Sequence, residues 1–177
     1  MEIEIRPLRP DDDRSSFSSG DVELDRFFRN YAGQNKFRLH VGLTYVASAA
    51  GRVVGYATIA PGSMVIDRLP RRERQRLPAY PLPILRLARL AVSTTDQGQG
   101  IGSRLVRFTL EMAREMTRRF GCVGVVVDAL PKALRFYARL GFCELVVEAG
   151  ALPSRPAPRP MFLPIGSIPG ADRASVQ

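Results

Sequence analysis

Hydrophobic and polar positions change period several times along this chain. Glu2 to Arg6 alternates, with Ile3 and Ile5 on one side, and predicts a short strand. Asp11 to Ser19 is polar loop. From Asp21, which suits an N-cap, Leu24, Phe27, Phe28 and Tyr31 recur at helical spacing and predict a helix that ends near Gly33. Leu43–Ala49 and Arg52–Ala60 are β-rich runs around a short Ala-Ala-Gly turn, an antiparallel hairpin that Pro61 and Gly62 should close. Ile84–Val92 reads as a strand. Gly100–Phe120 reads as a long helix with Ile101, Leu105, Phe108, Met112 and Met116 on one face, and Gly121 as its stop. Val123–Val127 is a continuous apolar run, the pattern of a buried parallel strand. Strand, helix and strand in that order predict a right-handed βαβ unit. Pro131 suits a first helical turn, and Ala133–Leu140 is a short helix stopped by Gly141. Phe142–Val147 and Met161–Ile165 are further strands, joined by a Pro-rich linker at Ala149–Pro160. Residues 1–165 are expected to form one α/β domain, and 166–177 a frayed tail.

Composition limits the setting. The 177 residues are 45% hydrophobic and 24% charged, an ordinary globular balance. The apolar runs fall short of the ~18 residues of a membrane span. The acidic start, MEIEIRPLRPDDD, lacks the apolar core of a signal peptide, so a cytoplasmic protein is expected. Cys122 and Cys143 fall in apolar, strand-like settings and read as buried free thiols. One histidine, His40, and two cysteines argue against a structural metal site. Net charge is +9, and only two of the 26 basic residues, Lys36 and Lys132, are lysine. Arg forks suit phosphate, so a polyanionic partner is one reading; a solvated basic surface is the other. The excess is densest where Arg68, Arg71, Arg72, Arg74 and Arg76 crowd around Glu73.

The stretch RLAVSTTDQGQGIG, Arg89 to Gly102, carries the chemistry. A strand runs into a Gly-rich turn with Q-x-x-G-x-G spacing, and a helix follows at once. Such a turn aims backbone N–H groups at one point near the positive end of a helix. That is a main-chain anion site, suited to a phosphate-bearing cofactor.

Together with A-L-R-F-Y-A-R-L-G-F, Ala133 to Phe142, this stretch resembles the GCN5-related N-acetyltransferases, or GNAT enzymes. Three further blocks are similar to the acetyltransferase toxins of bacterial toxin–antitoxin modules, the TacT/AtaT kind. They are F-S-S-G-D-V-E-L-D-R-F-F-R from Phe17 to Arg29, Y-P-L-P-I-L-R-L-A-R-L-A-V from Tyr80 to Val92, and V-V-V-D-A-L with the terminal M-F-L-P-I. The resemblance implies a mixed central sheet flanked by helices, with strands splayed at an acetyl-CoA site. It implies acetyl transfer to the α-amine of aminoacyl-tRNA, which blocks translation. A ribbon-helix-helix antitoxin and a homodimer are implied as well.

The resemblance also assigns roles. Gln97, Gly98, Gln99, Gly100, Ile101, Gly102 and Ser103 would take the pyrophosphate of acetyl-CoA. Leu90, Ala91 and Val92 would pair with its pantetheine arm, and Phe136 would either form a wall for it or belong to the core. Tyr137 would be the catalytic acid that protonates the departing thiolate. Asp128 is the best protein candidate for a general base; its rival role is to cap the helix that follows. Lys36, Arg38, Arg71, Arg72, Arg74, Arg76, Arg86 and Arg89 form the candidate tRNA surface. Two other functions stay open: a GNAT enzyme acting on a small amine or on a protein lysine or N-terminus, and a non-catalytic nucleic-acid-binding partner in a repressor complex.

Overall fold

A computed structural model of the chain describes residues 2–145 and 158–168. Two compact units share its continuous elements: Met1–Ala60 with Leu87–Thr109, and Pro61–Arg86 with Leu110–Gln177. In chain order the elements are β1 (Glu4–Pro7), α1 (Val22–Asn30), α2 (Ala32–Gln34), β2 (Leu43–Ala49), β3 (Arg52–Met64), α3 (Arg71–Arg74), β4 (Leu82–Val92), α4 (Ile101–Arg119), β5 (Gly124–Ala129), α5 (Leu134–Arg139), β6 (Cys143–Glu144) and β7 (Arg159–Pro164). Strand order is β1-β2-β3-β4-β5-β7-β6, a mixed α/β arrangement.

In the first unit β1 and β2 pair antiparallel from Glu4↔Ser48 to Pro7↔Tyr45. β2 and β3 form the expected hairpin, from Leu43↔Ile59 to Ala49↔Arg52. Its turn is Ala50–Gly51, both residues left-handed with φ of 48° and 79°, the geometry of a type I′ turn. Asp21 caps α1 as the sequence predicts, accepting from the N–H groups of Glu23 and Leu24 at 3.1 and 3.2 Å. The core on the α1 side gathers Leu8, Phe17, Phe27, Phe28, Val46 and Tyr56. Phe28 stacks on Tyr56 with ring centroids 4.4 Å apart, and the Tyr56 hydroxyl donates to the Leu24 carbonyl at 2.8 Å. Gly55 lets β3 approach β4 and α4: a Cβ there would stand 3.0 Å from the Ala91 carbonyl and 3.2 Å from both Ile101 and Leu105.

In the second unit the N–H of Val123 donates to the Pro83 carbonyl at 2.9 Å, and Arg86 reaches Asp128. These contacts advance in one direction along both strands, so β4 and β5 run parallel, as the helix between them requires. β7 then pairs antiparallel with β5, from Gly124↔Pro164 to Ala129↔Arg159, and with β6 on its other side. Met64, Leu69, Leu82, Ile84, Val126, Leu145 and Phe162 form the core.

Several boundaries differ from the sequence reading, for identifiable reasons. Pro61 and Gly62 do not end β3, which runs on to the buried Met64. Pairing with β2 has stopped at Ile59, so Pro61 stands where no β2 acceptor waits for an N–H. Gly62 makes room, because a Cβ there would lie 3.2 Å from Ile84. The α4 face is also rotated. Ile101, Leu105, Val106, Thr109 and Ala113 are buried, whereas Phe108, Met112 and Met116 are half-buried. The small Thr109 and Ala113 are fully buried, and the Thr109 hydroxyl is satisfied by the Leu105 carbonyl at 3.0 Å. The α1 helix stops at Asn30, and the chain reaches His40 through α2 and a π-turn at Asn35–Leu39. Cys122 and Cys143 are free thiols; Cys122 is buried and Cys143 half-buried. Gly166 begins no frayed tail, since a 3-10 turn at Ile165–Ser167 leads to the buried Ile168. The remaining tail, the Pro-rich linker up to residue 157 and the end of the Phe142–Val147 run lie outside the described residues. Among the described residues, no helix is long and apolar enough to cross a membrane.

Candidate active site

The Gly-rich turn lies in the first unit and leads straight into the 19-residue helix α4. Gly98 and Gly100 both take φ of +79°, and a Cβ on either would meet nothing within 4 Å. Conformation, not crowding, therefore requires glycine at both positions. The space beside them is open to a ligand. The Arg104 N–H is bonded to the Gly100 carbonyl at 3.1 Å. The N–H groups of Ile101, Gly102 and Ser103, in the first turn of α4, are those that a helix leaves without a partner of its own. Three convergent donors at a helix N-terminus, next to open space, fit the pyrophosphate of acetyl-CoA. Just upstream, Leu90 and Val92 are half-buried and Ala91 is buried at the end of β4.

The sequence reading missed what holds this turn in place. The Gln97 side chain, on the surface, folds over the backbone, donating to the carbonyls of Ser19 at 3.0 Å and Val92 at 3.1 Å. Gln97 therefore braces the turn with its side chain and has only its backbone to offer a ligand. Asp96 is buried and receives both guanidinium nitrogens of Arg52 at 2.9 Å. That bidentate bond holds its carboxyl below the usual carboxylate range, helped by the Thr95 hydroxyl. The Thr94 N–H donates to the Ser18 carbonyl at 2.9 Å. Asp25, itself buried, fixes that serine loop by accepting from the Ser19 N–H at 2.8 Å and the Ser19 hydroxyl at 2.7 Å. Arg29 ties the far end of the motif to the Phe17 carbonyl. The Phe17–Arg29 motif is thus the buttress of the turn, although nearly 80 residues separate Ser19 from Gln97. No local signal in the sequence marks so distant a pairing.

Tyr137 lies in the second unit, on α5, and is buried. Phe136 and Phe142 meet its ring edge-on at centroid distances of 5.0 and 5.5 Å. Burial pushes its phenol well above the ordinary tyrosine value. α5 is preceded by a 3-10 turn at Pro131–Ala133 and closed by Gly141 at φ +94°. Asp128 is exposed within β5 and does not cap that turn. It accepts instead from Arg86 at 2.6 Å.

The basic residues fall into two groups. Arg71, Arg72 and Arg76 are exposed on and just after α3, and Arg38 is exposed after α2. Arg74, also exposed, lies 3.9 Å from Asp67. Others are already engaged. Lys36 donates to the Leu8 carbonyl, and burial lowers its pKa. Arg86 is held by Asp128, and the guanidinium carbon of Arg89 stands over the Phe27 ring, 3.8 Å from its centroid. The structure therefore separates the anchored Lys36, Arg86 and Arg89 from the exposed arginines.

Known proteins resemble this chain in sequence and in fold. The acetyltransferase (GNAT) domain family matches residues 40–144. A tRNA-acetylating toxin of Mycobacterium tuberculosis is 36% identical over 141 residues, spanning 77% of this chain and 82% of the relative. The fold superposes on AtaT complexed with acetyl-methionyl-tRNAfMet at a TM-score of 0.81 and 26% identity, covering 94% of this chain and 97% of that one. It also superposes on a tyrosine-to-phenylalanine mutant of the AtaT toxin, bound to the C-terminus of the antitoxin AtaR and acetyl-CoA. There the TM-score is 0.77 at 26% identity, covering 95% of this chain and 96% of that one. A donor-lined glycine turn, a buried tyrosine on the helix after β5 and a family match across more than half the chain lead to one assignment: the protein belongs to the GNAT acetyltransferases.

Proposed function

We propose that this acetyltransferase moves an acetyl group from acetyl-CoA to the α-amine of aminoacyl-tRNA. An acetylated α-amine is no longer a nucleophile for peptide-bond formation, so translation stops. The observation that carries the reading is the likeness, along almost the whole chain, to a structure captured with acetyl-methionyl-tRNA. The exposed Arg71, Arg72 and Arg76 support it, as donors suited to a phosphate backbone. A small antitoxin, of the ribbon-helix-helix type, would neutralise the enzyme, and the active form would be a homodimer.

Bound acetyl-CoA supplies a thioester carbonyl open to attack by an amine. The residues of this chain divide the remaining work. The first-turn N–H groups of α4 fix the pyrophosphate, and Leu90 to Val92 lie along the pantetheine arm. The Tyr137 hydroxyl keeps its proton until the thiolate leaves. The test is incubation with labelled acetyl-CoA and a set of charged tRNAs. Acetyl-aminoacyl-tRNA should form, and should be lost in Tyr137→Phe and strongly reduced in the triple alanine variant of Arg71, Arg72 and Arg76. Efficient transfer to free amines or peptides, indifferent to the arginines, would overturn the reading.

A further inference from the structure

We infer that the cavity walled by the end of β3, the start of β4 and β5 holds the acceptor amine, and that Asp128 is the residue that takes it. This rests on the amine-acetylating reading above; it concerns which residues bind the amine. The cavity lies wholly within the second unit and encloses about 480 Å³, a volume typical of small-molecule sites. Met64, Val126 and Leu145 give it an apolar wall, and among the described residues its charged groups are Arg68, Arg86 and Asp128.

Asp128 is out of place as a structural residue. Along β5 every other residue is buried, and aspartate is a poor strand former. Its side chain is 44% exposed, facing the cavity. Arg86 donates to Oδ2 at 2.6 Å and sets the plane of the carboxylate. Oδ1 keeps lone pairs for an N–H donor. Neither guanidinium can accept a hydrogen bond, so among the described lining residues Asp128 is the one charged group that can receive an amine.

Charge narrows the ligand class. Among the described residues, two guanidinium groups against one carboxylate leave the lining with a positive excess, which opposes a bare cation. It suits a molecule that carries an amine and an anion together. An aminoacylated nucleotide end has both: an α-amine for Asp128, a phosphodiester for the exposed Arg68, and a side chain for the apolar wall. Arg86 acts through Asp128 and is a positioning residue.

The probe is an adenosine 5′-phosphate carrying an aminoacyl group through a stable 3′-amide, compared by calorimetry with its deaminated counterpart. A charge-assisted hydrogen bond to the amine predicts that the wild-type protein prefers the amine form by roughly tenfold. Asp128→Asn and Asp128→Ser should bind both forms alike, Asp128→Glu should keep a preference, and Arg86→Gln should weaken it. Acetyl-CoA binding, measured in parallel, reports that each variant is folded. Equal wild-type affinities, or a preference that survives Asp128→Asn, would overturn the inference. If charged tRNA is not a substrate but another amine is acetylated, that amine and its deaminated counterpart replace the probe. A preference lost in Asp128→Asn then upholds Asp128 while the tRNA reading falls; a preference retained overturns the inference.

Discussion

Burial decides what Tyr137 can do. Packed between Phe136 and Phe142, its phenol is held protonated by desolvation, well past the ordinary tyrosine value near 10. A raised pKa means that the acid stays loaded as pH rises. The upward limb of the rate should follow deprotonation of the acceptor α-amine, at about 7.7–8.0 in model compounds. No downward limb from Tyr137 should appear below pH 10. Tyr137→Phe should lower kcat by about 10²–10⁴-fold and leave acetyl-CoA affinity unchanged. A pH–rate profile checks both points, and a descending limb near pH 9 that vanishes in Tyr137→Phe would contradict them. A second residue carries a local cost unrelated to chemistry. Ala50 is left-handed at φ 48° in the β2–β3 turn, a region that disfavours alanine by about 1–2 kcal/mol. Ala50→Asn keeps the type I′ geometry with a side chain that tolerates it. It should raise stability by about 0.5–1 kcal/mol in a denaturant melt, with the slope unchanged.

At the scale of elements, the turn before α4 and the strand β5 use glycine for opposite reasons. Gly100 has open space around it, so Gly100→Ala pays only the left-handed backbone penalty of about 1 kcal/mol. The fold should survive and acetyl-CoA affinity should drop several-fold, because the turn relaxes away from its donor geometry. Gly124 has no such room. A Cβ there would press on the Leu163 carbonyl and the Phe162 ring, so Gly124→Ala should cost at least about 3 kcal/mol of stability. Thermal melts and acetyl-CoA titrations of the two variants should therefore diverge. The turn was legible in the sequence because its signal is local: two glycines, a strand before them and a helix pattern after. The α1 cap and the β2–β3 hairpin were legible for the same reason. The end of β3 was not, since Pro61 and Gly62 are ordinary strand breakers and only the loss of the β2 neighbour excuses them. The α4 face was misjudged because periodicity weights bulk, whereas Thr109 and Ala113 are buried for their smallness. The Gln97–Ser19 and Arg52–Asp96 bonds join distant segments and left no trace in any single window.

At the scale of the molecule, the charge of +9 is Arg-rich, but only part of it is available to a polyanion. Arg52, Arg86 and Arg89 are engaged with Asp96, Asp128 and Phe27. Arg71, Arg72 and Arg76 are exposed and belong to one short segment. If that segment lies along the tRNA backbone, each arginine displaces condensed counterions. The log–log dependence of affinity on salt should then lose about 0.7 to 0.9 per contact removed. The triple alanine variant should bind charged tRNA with a slope shallower by about 2 to 3, and its deficit should shrink as salt rises from 50 to 200 mM. Acetyl-CoA affinity should not change, because the turn before α4 and its buttress contain none of the three residues. An unaltered slope would move the tRNA contact elsewhere on the surface, and a parallel loss of acetyl-CoA binding would mark the segment as structural.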